Sequence, residues 1–262
     1  MKILFLGDIV GRPGRQAVGD LLPQIVVENN IDLVLANGEN AAGGFGLTKK
    51  VADELFSYGI AALTMGNHTW DNRSILEFIG EEERIVRPLN FNLQAPGRGW
   101  TIIQWKTLNI AVINFIGQVF MNDNNSPFDI FDQYIAEIKD IADIIIIDFH
   151  AEATAEKLAF AHYVDGKVAA LVGTHTHVQT SDDRVLPGGT AYMTDLGMCG
   201  ACDSILGMEV ESVINRFRTQ IPERYKIKKE GKYKLEGAII EIDEKNGLSK
   251  NINSIRIFKN NF

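Results

Sequence analysis

Cysteine is scarce in this chain of 262 residues: there are two, Cys199 and Cys202, in the string CGAC. With no second CxxC the pair cannot complete a four-thiolate zinc site. Nothing around it follows a thioredoxin-like pattern, so two reduced thiols in a Gly-rich loop are expected. Positive charge is also in short supply. A formal net charge of -8 argues against a basic groove tracking a long nucleic acid. Small phosphorylated substrates stay open, because bound cations can reverse the sign of one pocket. No apolar run approaches membrane-spanning length, which argues against a membrane partner. The opening MKILFLGDIV meets an acidic residue too soon to supply the apolar stretch and cleavage site of a signal peptide, so a cytoplasmic location is expected. No internal repeat or linker interrupts the chain, and a single domain over residues 1–262 is expected, long enough to bury a sizeable core.

What is present is an alternation of short apolar runs with amphipathic segments, the pattern of an α/β protein. Strands are expected at residues 2–6, 31–36, 60–65, 144–149, 168–172 and 190–194. Residues 101–105 and 109–114 are expected to form a hairpin about a turn at 106–108. Helices are expected at 16–29, 49–57, 72–82, 128–141 and 152–163, with Thr48 as the N-cap of the second. Residues 195–207 read as a loop. From 232 onward an alternating pattern with a Glu-Lys-Asn-Gly turn reads as antiparallel strands at a sheet edge.

The scarcest informative residue is histidine. Of five, four lie just past the ends of apolar runs: His68, His150, and the pair His175 and His177 in GTHTHVQT, residues 173–180. Core packing does not explain that placement, whereas open α/β sheets put ligand sites at the carboxyl ends of strands. The fifth, His162, falls on a helix and is assigned to packing or surface. Other strand ends deliver Asp8, then Glu39 and Asn40 in the loop NGENAAGGFGLT, and Asn67 beside His68 in GNHTWD. The glycines at 43, 44 and 46 would let that loop approach a substrate closely. Trp70 and Asp71 are expected to pack and cap the next helix. Arg12 and Arg15 bracket a Pro-Gly turn and are either surface charges or phosphate contacts. Asp8, Glu39, Asn40, Asn67, His150, His175 and His177 together offer seven oxygen or nitrogen donors and no thiolate. That is too many for one tetrahedral zinc and suits two divalent ions sharing a bridging carboxylate. His68 is left over as a general acid.

The order Asp, Gly-led acidic loop, GNH, His and HxH resembles the calcineurin-like metallophosphoesterase superfamily. The strings LGDIVGRPGR, NGENAAGG, GNHTWD, GTHTHVQT and DLGM resemble more closely its YmdB-like branch, over almost the whole chain. Two departures from the wider superfamily fit that branch. Asp8-Ile9-Val10 stands where DxH is usual, and Gly38-Glu39 where GD is usual. The resemblance implies two packed mixed β-sheets flanked by helices and a di-iron or di-manganese centre, with zinc also compatible. It implies Asp8, Glu39, Asn40 and His177 on one ion, and Glu39, Asn67, His150 and His175 on the other. It further implies hydrolysis of 2',3'-cyclic nucleotides to 3'-nucleotides, with a metal-bridging hydroxide as nucleophile and His68 as proton donor. A metallophosphatase acting on monoesters and a metal-holding regulatory protein are the alternatives. A homo-oligomer is left open.

Overall fold

The computed structural model describes residues 1–222 and 224–259. Two sheets carry the chain. The first orders β13 (Ser249–Lys259), β12 (Tyr233–Ile242), β11 (Met198–Ala201), β1 (Lys2–Ile9), β2 (Leu33–Asn37), β3 (Ala62–Thr64) and β4 (Ile85–Val86). The second orders β5 (Trp100–Trp105), β6 (Leu108–Ile116), β7 (Ile144–His150), β8 (Ala170–Thr174), β10 (Ala191–Met193) and β9 (Arg184–Val185). Parallel pairs run from β11 through β4 and from β6 through β10, while β12, β13, β5 and β9 pair antiparallel, so both sheets are mixed.

Strand parity explains how the layers stack, because successive side chains point to opposite faces. On β1, Ile3 and Phe5 meet Ile144 and Ile146 of β7 in the core between the sheets. Leu4 and Leu6 point the other way, against α1 (Gly11–Asn29) and α2 (Lys49–Ser57). On β7, Ile145, Ile147 and Phe149 pack outward with Phe131 of α3 (Pro127–Ile141) and Phe160 of α4 (Thr154–Val164). Three apolar layers result, with helices on both outer faces. The same parity carries Asp148 and His150, at the end of β7, towards the opposing sheet.

Besides the two-residue strands β4 and β9, four elements differ from the sequence expectation. Helix α1 starts at Gly11, so GRPGR is its first turn, where Pro13 has no hydrogen bond to forfeit. Residues 72–82 hold a five-residue 3₁₀ turn, Arg73–Glu77, because Asn72 pulls the chain tight by accepting from both the backbone and hydroxyl of Ser74. Met198–Ala201 is a strand parallel to β1, not a loop. Val210–Thr219 forms a helix, α5, that buries only Ser212 and Val213 and so leaves little apolar periodicity to read. Thr48 does cap α2, its side chain accepting from the Val51 amide. No described helix is long and apolar enough to cross a membrane.

Candidate metal centre

The carboxyl ends of five parallel strands converge at one edge of the sheet pair. Asp8 lies on β1, where the register shifts between Leu6 and Asp8. Glu39 and Asn40 follow β2, Asn67 and His68 follow β3, His150 ends β7, and His175 and His177 follow β8. All seven donor residues and His68 therefore reach one site.

They fall into two touching groups. Glu39, His150 and His175 each offer a ligand atom, all within 4.8 Å of one another. Asn67 Oδ1 lies 2.8 Å from His150 Nε2, on the same side. In the second group, His177 Nε2 is 3.6 Å from Asp8 Oδ1, and the Asn40 amide lies 3.2 Å from His177 Nε2. Asn40 joins the groups through a 3.1 Å contact with Glu39 Oε1.

Each of the three imidazoles has one nitrogen engaged outward and the other turned in. His150 Nδ1 donates to Thr174 Oγ1 at 2.9 Å, and that hydroxyl donates onward to Asp148 at 2.7 Å. His177 Nδ1 donates to the Leu206 carbonyl at 3.2 Å. His175 Nε2 pairs with Glu152 at 3.1 Å, leaving its Nδ1 3.1 Å from His150 Nε2. Outer acceptors of this kind fix the tautomer and aim the second nitrogen's lone pair at a cation. Two imidazole nitrogens and an amide oxygen facing one point are mutually repulsive unless a proton or a metal sits among them. The donors present therefore fit a metal centre.

Titration shifts tell the same story. Burial opposes charge on His150, yet Glu39 and Asp8 overcome it and raise the imidazole to about 9. Burial also works against ionisation of Asp8 and Glu39, but His177 and His150 respectively hold both carboxyls below the ordinary range. His177 is raised by Asp8 against its own burial. His175 is pushed down to about 3 by burial and by the charge on His150. The site attracts positive charge and places it beside Glu39.

Gly66 is needed for this closeness. A Cβ there would fall 2.4 Å from the His150 ring and 2.5 Å from Glu39 Oε2. Gly44 and Gly46 also answer to packing, since a Cβ at Gly44 would strike Ile227 at 2.4 Å and one at Gly46 would strike Asn72 at 2.7 Å, while Phe45 between them lines the cleft over the donors. His68 lies beside the donors, its backbone N–H donating to Glu39 Oε2 at 2.8 Å. Its Nδ1 meets Asp71 Oδ2 at 2.8 Å, so Asp71 orients an imidazole where a helix cap was expected. Trp70 packs, partly buried, against the apolar layer that holds Leu4 and Leu6. His162 is exposed.

Several polar residues that hold the site lie inside apolar patterns and carry no motif of their own. Asp148 is fully buried, bound by Thr64, Thr174 and Asn37, and burial raises its carboxyl to about 6. The one signal in the sequence is the parity it shares with His150. Lys157 is also fully buried, donating to the Thr174 carbonyl and to Asp195 at 2.8 Å each. Asp195 accepts the Thr176 amide at 3.0 Å, so this ion pair anchors the HxH loop and Asp195 is no part of the donor cluster. The loop needs an anchor: His175 and His177 both have positive φ, 103° and 62°, a conformation costing roughly 1–2 kcal/mol per residue. Lys157→Met should leave a buried carboxylate unpaired and lower the melting temperature by on the order of 10 °C. An unchanged thermal melt would show that the pair is dispensable.

Arg15 is committed to Glu54 at 3.0 Å and to the Ala41 carbonyl at 2.7 Å, and with Arg12 it lines a separate depression. Cys199 and Cys202 are both free. Burial pushes the Cys199 thiol up to about 12, and neither cysteine joins the donors.

Comparison with known proteins adds three findings. Residues 4–255 match the family model described as YmdB-like protein. A Bacillus subtilis (strain 168) protein named 2',3'-cyclic-nucleotide 2'-phosphodiesterase is 47% identical over 257 residues, covering 98% of this chain and 97% of that one. Two solved structures superpose with a TM-score of 0.93: a hypothetical protein from Thermus thermophilus, 38% identical, covering 99% of this chain and 100% of that one, and a phosphatase from Mycoplasma pneumoniae, 35% identical, covering 99% and 94%.

Proposed function

Because the chain belongs to the YmdB-like protein family, we propose that it is a dinuclear-metal phosphodiesterase acting on 2',3'-cyclic nucleotides and yielding 3'-nucleotides. The observation that carries the reading is the inward turn of three imidazoles onto Glu39 and Asp8, next to a histidine that is not needed as a ligand. Asp8, Glu39, Asn40 and His177 would hold one ion, and Glu39, Asn67, His150 and His175 the other. The imidazole and carboxylate donors suit iron, manganese or zinc, with iron our first choice. Two such ions activate water and neutralise phosphoryl charge.

The chain's own residues supply the rest. Glu39 sits between the two donor groups, and Asp148 and Thr174 keep His150 turned towards it. Asp71 accepts from His68 Nδ1, which leaves Nε2 to deliver a proton. As a water oxygen bonds to phosphorus, the bond from phosphorus to the ribose 2'-oxygen breaks, and His68 gives that proton to the departing 2'-oxygen, a poor leaving group, with the 3'-ester kept. Its side chain is 28% exposed and can regain a proton from solvent. The two sheets share one core, which supports a single catalytic domain over the chain. Two unpaired thiols suit a reducing cytoplasm.

The experiment compares bis(p-nitrophenyl) phosphate with p-nitrophenyl phosphate on metal-loaded protein. Turnover of the diester with little of the monoester is expected. The reverse preference would assign the site to a monoesterase.

A further inference from the structure

The cleft over the donors, about 350 Å³, is lined by two unlike sets of side chains. Glu39, Asn40, Glu152 and Thr176 form the polar set with His68, His175 and His177. Phe45, Leu206, Met208, Phe217 and Tyr225 belong to the other, and of these side chains only the tyrosine hydroxyl can hydrogen-bond strongly. This apolar wall is open to water: Phe217, on α5, is 77% exposed and Leu206 is 44% exposed. Two of its aromatic members are nevertheless held in place. The Arg216 guanidinium lies 4.6 Å from the centre of the Tyr225 ring, and Phe45 meets the His68 ring edge-on at 5.0 Å.

The chemistry of the leaving group connects the two sets. In a 2',3'-cyclic nucleotide the carbon bearing the 2'-oxygen is bonded to the carbon bearing the base. A proton donor that reaches the 2'-oxygen therefore has the base close beside it. Phe45 already touches His68, and the wall continues from there to α5 within the same cleft.

Resting on the assignment of His68 as donor, we propose that Phe45, Phe217 and Tyr225 form a nucleobase subsite. The base is held by stacking and apolar contact, which every base can make because each has a π-face. A wall with so few hydrogen-bonding side chains does not read base edges. Adenine, guanine, cytosine and uracil are all accepted, and the larger purines gain from their greater stacking area.

The test pairs 2',3'-cyclic AMP with glycerol 1,2-cyclic phosphate, which keeps the five-membered cyclic diester and lacks the base. Phe217 is exposed enough to be truncated without disturbing the core. Phe217→Ala should lower kcat/KM for the nucleotide roughly 10-fold, mainly through KM, and for the glycerol compound by less than about 2-fold. Phe217→Trp should restore the nucleotide value. Equal losses on both substrates would overturn the subsite, as would unchanged nucleotide kinetics in both Phe217→Ala and Tyr225→Ala. Unchanged kinetics with a drop in oligomeric mass would give this face to a second copy of the chain, and also overturn it. Turnover of neither compound by the wild-type protein would instead overturn the phosphodiesterase reading, and the subsite with it.

Discussion

Glu39→Gln should strip at least one metal ion from the protein and lower diester turnover on the order of 10³-fold. Glu39 is 1% exposed, with Oε1 facing both His150 and the Asn40 amide at 3.1 Å, so it stands where the two donor groups meet. Glutamine keeps the shape and removes the charge that holds two cations close to each other. It also turns an N–H of its own towards a cluster built to receive cations. Elemental analysis after dialysis, beside a thermal melt to confirm folding, reads the effect. Full metal content with near-normal turnover would move the bridging role to another carboxylate. Asp195 could not take it, being held away by Lys157.

His68→Ala should separate catalysis from metal binding. Both ions should remain, and kcat on a 2',3'-cyclic nucleotide should fall roughly 10²- to 10⁴-fold. A nitrophenolate departs without much help from an acid, so the same variant should be far less impaired on a nitrophenyl diester. His150→Ala should instead lose metal and slow both substrates alike, because its Nε2 lies within the Glu39 and His175 cluster. Metal content must be measured on each variant. If His68→Ala lost its metal, or slowed both diesters equally, His68 would be a ligand or a phosphate-binding group.

The strand ends were legible in the sequence because apolar runs stop at or near the carboxyl ends of the buried strands, and the donors follow the runs directly. Asp8, Glu39, Asn67, His150 and the HxH pair could each be placed at such a boundary. What could not be read is the scaffolding behind them. Asp148 and Lys157 are polar residues inside apolar patterns, and only the three-dimensional pairing with Thr64, Thr174 and Asp195 shows why burying them is tolerated. The strand at 198–201 has two small residues and a cysteine among its four, with no alternation to mark it; tertiary pairing with β1 makes it a strand. Helix α5 escapes for the opposite reason, since its apolar residues largely face outward, as Ile214 and Phe217 do. The glycines of residues 43–46 suggest a substrate loop by composition, and Phe45 does line the cleft, but composition does not show that Ile227 and Asn72 also press close to Gly44 and Gly46.

The most direct test is to follow the metal-loaded wild-type protein with 2',3'-cyclic AMP and identify the product by phosphorus NMR, with metal counted on the same sample. The account predicts 3'-AMP as the product, with about two transition-metal ions per chain. Formation of 2'-AMP, or no hydrolysis at full metal loading, would contradict it.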